Sequence, residues 1–97
     1  MKMIYCIYNV SVAEVMEHIL QNTNEKNFQV YDNVLAKTAG SLPRFNTPVW
    51  PGYNQTAMVQ TEDETNLIKA ICAHNLRESD VNEQILVYSW TIEQRVG

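Results

Sequence analysis

The sequence predicts an α+β fold in which two helices cover one face of a four-stranded antiparallel sheet. Three observations carry that prediction. Four apolar runs with strand-like alternation are interleaved with two stretches whose apolar residues recur every three or four positions, in the order strand, helix, strand, strand, helix, strand. Each helical stretch opens on polar residues suited to satisfying the free amides of a first turn. Between the second and third strands, residues 40–54 hold all three prolines and two of the three glycines, a composition that no regular element tolerates.

In the first run, residues 3–10, Met3, Tyr5 and Ile7 share one face and Ile4, Cys6 and Tyr8 the other. Both faces are apolar, so this strand is expected at the centre of the sheet, covered on two sides. Ser11 and Glu14 then have the spacing of a capping box, and Val12, Val15, Met16, Ile19 and Leu20 form one helical stripe with Glu14, Glu17, His18 and Gln21 outside it. Polar residues 21–27 end that helix. The second strand covers residues 28–36, with Phe28, Val30, Val34 and Leu35 as its apolar members and the pair Asp32 and Asn33 marking a bulge.

Residues 56–61, with Ala57, Met58 and Val59, form the third strand and pair with the second as an antiparallel hairpin. Thr61 to Glu64 repeats the capping pattern, with acids at the positive end of the helix dipole. Leu67, Ile68, Ile71, Cys72 and Leu76 are the expected buried stripe of the second helix. A polar exit, residues 77–83, leads to a last strand at 84–92, where Ile85 and Val87 oppose Leu86, Tyr88, Trp90 and Ile92. Residues 93–97 are a fraying tail. This order is the ferredoxin-like split βαβ arrangement. Helices cover only one face of such a sheet, yet the first and last strands are apolar on both, which predicts a homo-oligomer with sheet faces packed together.

Size and composition fit one domain over residues 1–97, with the long connection at 38–55. Eleven acids against seven bases give a net charge of -4, and the bases do not cluster, which argues against nucleic acid. No apolar run reaches the roughly 18 residues that a membrane span needs. The start lacks the features of a secretory signal, so a cytoplasmic location is expected. Cys6 and Cys72 are read as two reduced, buried thiols acting as small hydrophobes.

Catalytic chemistry is not predicted. His18 lies on the polar side of its helix, and His74 at a boundary position where a partly buried, hydrogen-bonded imidazole is expected. No metal-ligand spacing, nucleophile motif or phosphate-binding motif is present, and Glu62, Asp63 and Glu64 are a helix start. Binding groups gather instead in the long connection. Lys37 and Arg44 are cations, Thr38, Ser41, Thr47 and Asn54 neutral donors, and Trp50 either a stacking surface or a ring that pins the loop to its own sheet.

The element order, the long connection and the run Thr47-Pro-Val-Trp-Pro-Gly-Tyr-Asn together resemble the PII-like proteins, in particular a divergent branch with a Thr-x-Val-Trp-Pro-Gly-x-Asn motif. The resemblance spans nearly the whole chain, including residues 32–37 and 61–64. It implies a homotrimer with sheets around a central axis, a small effector in the clefts between subunits, and a loop that engages a regulated partner protein. Carried onto this sequence, it implies an effector site of Lys37, Arg44, Thr47, Trp50, Gly52 and Asn54, with no catalytic residue and no metal. Two departures bear on the effector. The loop is short, and residues 77–83 lack the glycines and basic cluster with which nitrogen-sensing members grip nucleotide phosphates, so the usual ATP or ADP grip is not expected and the effector stays unidentified. Pro48 also stands where the branch often has histidine. The related CutA trimers share the fold and supply the alternative, a divalent-metal-binding protein using Cys6, Cys72 or His74 across an interface.

Overall fold

The computed structural model describes residues 1–34 and 53–97. It contains β1 (Lys2–Asn9), α1 (Ala13–Asn22), β2 (Phe28–Val34), β3 (Asn54–Thr61), α2 (Thr65–Arg77) and β4 (Leu86–Thr91), with single 3-10 turns at Val10–Val12 and Val81–Glu83. The strands form one sheet in the order β2-β3-β1-β4, every neighbouring pair antiparallel. This is the expected ferredoxin-like arrangement, with β1 at the centre between β3 and β4.

Alternation along β1 divides the sheet's two faces. Ile4, Cys6 and Tyr8 lie beneath the helices with Ala57 and Val59 of β3, and meet Val12, Met16 and Leu20 from the first helical segment and Leu67 and Ile71 from α2. Met3, Tyr5 and Ile7 project to the other face. The expected bulge in β2 is present. Pairing with β3 slips between Tyr31 and Val34, and Asn33 takes a left-handed φ of 57°. The Asp32 carboxylate steadies that turn by accepting from the Asn33 amide at 2.8 Å and from Gln55 Nε2 at 3.0 Å.

Both helix starts differ from the capping boxes read in the sequence. At the first, the Asn9 side chain accepts from the Ser11 amide at 2.9 Å and opens a 3-10 turn ahead of α1. Ser11 is therefore not the cap. Its hydroxyl instead donates to Glu83 Oε2 at 2.6 Å, 72 positions away. At the second, Thr61 closes β3, and Asp63 accepts from the Thr65 amide at 3.0 Å. An Asp or Asn two residues before the amide forms a tighter ring than a capping box, and it wins at both ends.

The face that α2 buries also differs from expectation. Leu67, Ile71 and His74 face the core, at i, i+4 and i+7, whereas Cys72 is exposed and Leu76 is 88% exposed. Positions 72 and 76 belong to a neighbouring stripe about 100° around the helix, which the core does not reach. His74 holds a core position because its ring Nε2 lies 2.9 Å from the Glu83 carbonyl, which only accepts, so the ring donates from Nε2. None of the helices among the described residues is long and apolar enough to cross a membrane.

Candidate functional site

Residues at the base of the long connection are positioned by three strands. β2 delivers the chain to it at Val34 and β3 receives it at Asn54, and these two residues are ladder partners. The end of β1 closes the base. Asn9 pairs with Asn54 across the ladder, and the Val10 amide donates to the Tyr53 carbonyl at 3.1 Å. Asn9, Asn54 and Thr56 are all buried, so a compact polar layer sits where the connection returns to the sheet.

Of the candidate ligand-binding residues, Asn54 is the one the structure places. It is 1% exposed and lies opposite Asn9. Lys37, Arg44, Thr47, Trp50 and Gly52 lie outside the described residues. Asn9, Asp32 and Gln55 brace this base; sequence reasoning passed over Asn9 and Gln55 and took Asp32 only as part of a bulge. Asn9 was visible as an Asn two residues before a helix start, but its pairing with Asn54 depends on strand register, which the sequence does not display.

Below this base, the sheet face opposite the helices is apolar and open. Its rows follow the register: Ile7 beside Leu86, Tyr5 between Met58 and Tyr88, Met3 between Gln60 and Trp90. Leu86, Tyr88 and Trp90 are each more than a third exposed, as is Tyr31 on β2. Tyr31, Tyr88 and Trp90 thus leave aromatic surface in water on this face, the kind of surface that association commonly covers.

The connection from α2 to β4 is held by its own side chains. Gln84 Nε2 donates to the Glu78 carbonyl at 2.9 Å, and Asp80 caps the turn Val81–Glu83 through the Asn82 amide at 2.9 Å. Its charged groups after Arg77 are the carboxylates Glu78, Asp80 and Glu83. A segment of that charge repels phosphate and gives it no glycine-lined cradle.

The residues named for a metal across an interface are placed poorly for it. Cys6, expected to be buried, is fully so, on the helix-covered face, and burial pushes its thiol up to about 12, far from the thiolate a metal needs. His74 faces the core and is engaged by Glu83. Cys72, contrary to expectation, lies exposed on α2. Among the described residues, no three of the His, Cys, Asp and Glu side chains come together as a ligand set. Tyr8, beside Cys6, is also pushed up, first by burial and then by the charges of Cys6 and Asp32.

No family model and no curated protein matches this chain. Solved structures do. CPII, a nitrogen regulatory PII-like protein from Thiomonas intermedia K12 bound to ADP, AMP and bicarbonate, aligns with a TM-score of 0.68 at 12% identity, over 96% of this chain and 88% of CPII. Its apo form aligns with a TM-score of 0.61 at 12% identity, over 94% and 89%. A PII-like signaling protein from Thermus thermophilus gives 0.56 at 11% identity, over 92% and 82%. Likeness at this identity concerns the path of the chain and not its side chains. The fold of this protein is the ferredoxin-like fold found in PII-like proteins.

Proposed function

We propose that this protein is a PII-like regulatory protein, a cytoplasmic homotrimer without catalytic activity that binds a small effector in the cleft between subunits and acts on a partner protein through residues 38–55. The observation that supports this most is the open apolar sheet face of Tyr5, Tyr88 and Trp90, on a fold whose solved counterpart CPII holds ADP, AMP and bicarbonate. In this reading Trp50 stacks on the effector, Lys37 and Arg44 meet its anionic group, Thr47 and Asn54 orient it, and Gly52 lets the backbone approach. The acidic connection from α2 to β4 favours an effector whose anionic group is met by the loop cations and not by residues 77–83.

Native mass spectrometry of gently purified protein, followed by calorimetric titration with ADP, AMP and bicarbonate, tests the reading. The expected species has three times the protomer mass of 11.2 kDa and carries up to three copies of a small molecule. A bare monomer would remove the basis of the proposal, and a trimer carrying stoichiometric metal would favour the CutA-like alternative. Changing Lys37, Arg44 and Trp50 together to alanine should leave the trimer intact and weaken effector binding by about tenfold or more. Unchanged affinity would remove the site assignment.

A further inference from the structure

The helix layer stops short of the edge strand. Phe28 and Val30 point to the helix-covered side of β2, opposite the fully buried Val59 and Ala57, yet they remain 43% and 47% exposed. Between them and α1 lies a groove of about 450 Å³. Its accessible apolar surface comes chiefly from Phe28 and Val30, with the buried Tyr8, Met16 and Leu20 forming its floor, and its charged groups are Glu17 and Glu25. Among the described residues, the other polar side chains lining it are the neutral amides of Gln21 and Gln55, and no lysine, arginine or histidine lines it.

That combination selects its occupant by chemistry. A concave apolar surface of this size fits a small organic molecule. Carboxylates without a balancing cation repel an anionic ligand and attract a cationic one, and an aromatic face in the same groove adds to the attraction for an ammonium group. We propose that the groove between α1 and β2 binds a small amphipathic organic cation, with its apolar part on Val30 over the floor of Met16 and Leu20, and its ammonium group against Glu17, Glu25 and the Phe28 ring. The residues that line the groove all lie among the described ones, and the proposal calls on neither the trimer nor Lys37 and Arg44, the cations that suit an anionic effector.

The test is a titration of the full chain with benzyltrimethylammonium at low salt, followed by NMR at the Met16 methyl and the Phe28 ring, with benzenesulfonate as the anion of matching size. The expected result is a saturable shift at both residues with the cation and none with the sulfonate. The double variant Glu17→Gln/Glu25→Gln should raise the Kd by about tenfold, and Phe28→Leu by a few fold, roughly the loss of one cation-ring contact. Both sets of changes sit at exposed or half-exposed positions, so the fold persists. Equal shifts with the sulfonate, a Kd unchanged in the double variant, or no saturable shift at Met16 because a second copy covers the groove would each overturn the proposal.

Discussion

Asn75 in the last turn of α2 and Ile85 just ahead of β4 exchange two hydrogen bonds. Asn75 Nδ2 donates to the Ile85 carbonyl at 2.8 Å, and the Ile85 amide donates to Asn75 Oδ1 at 2.8 Å. One side chain thereby satisfies both backbone groups of a residue that is 2% exposed. Asn75→Ala leaves both unpaired and should cost about 2–4 kcal/mol in urea unfolding. Asn75→Asp should fall well short of wild type, because a carboxylate cannot donate to the Ile85 carbonyl.

The two cysteines should separate by reactivity. Cys6 is sealed in the core and Cys72 lies on the outer side of α2. With a thiol-specific chromogenic reagent at about pH 8, the native protein should release one equivalent of colour and the denatured protein two. Cys72→Ser should abolish the native reaction.

Burial of Cys6 also sets an alkaline limit. Its thiol is raised from 9.0 to about 12 in the folded state, so the stabilisation is fully present below about pH 9. Above that, the unfolded chain releases the proton while the folded chain keeps it, and stability falls with rising pH until about pH 12, by up to about 1.4 kcal/mol per unit. The raised Tyr8 adds a slope of the same sign above its ordinary value of 10.0. Urea unfolding at stepped pH should show the decline, and Cys6→Ala should flatten its first part.

Leu67 and Leu76 share a helix and should differ sharply in what they contribute. Leu67 is fully buried and Leu76 is 88% exposed. Leu67→Ala should cost about 2–5 kcal/mol, and Leu76→Ala should stay within about 0.5 kcal/mol, both read from denaturant midpoints.

The open sheet face offers the test of assembly. Tyr88 stands beside Tyr5 at its middle and is 54% exposed. Tyr88→Glu places a charge where a packed face would desolvate it, so sedimentation should show monomer while far-ultraviolet dichroism stays that of the native fold. An assembly that survives this change would contradict packing through the sheet face.

How far the sequence could be read follows from where each determinant lies. Alternation in β1, the helical stripe of α1 and the bulge at Asp32 and Asn33 were legible because each depends on residues a few positions apart, and the hydrogen-bonded state of His74 was legible from its boundary position, though its partner, the Glu83 carbonyl nine positions on, was not. The α2 stripe was read one face too wide. Ile68 does pack against the core beside Leu67 and Ile71, but Cys72 and Leu76, further along the same row, are left exposed. Capping went to Asn9 and Asp63 because an adjacent side chain reaches the amide first. For the candidate site, residue chemistry identified the loop, whereas the pairing of Asn54 with Asn9 required a ladder between residues 45 positions apart in the chain.

Local periodicity and turn chemistry therefore determined, from the sequence alone, the number, type and order of the elements and the presence of a sheet apolar on both faces. Tertiary structure decided which apolar rows were buried, which polar side chains found partners, and where the helix layer ended. The physical reason is range. Backbone geometry acts between near neighbours and can be read along the chain, while burial and hydrogen bonds such as that of Ser11 to Glu83 join residues that only the folded sheet brings together.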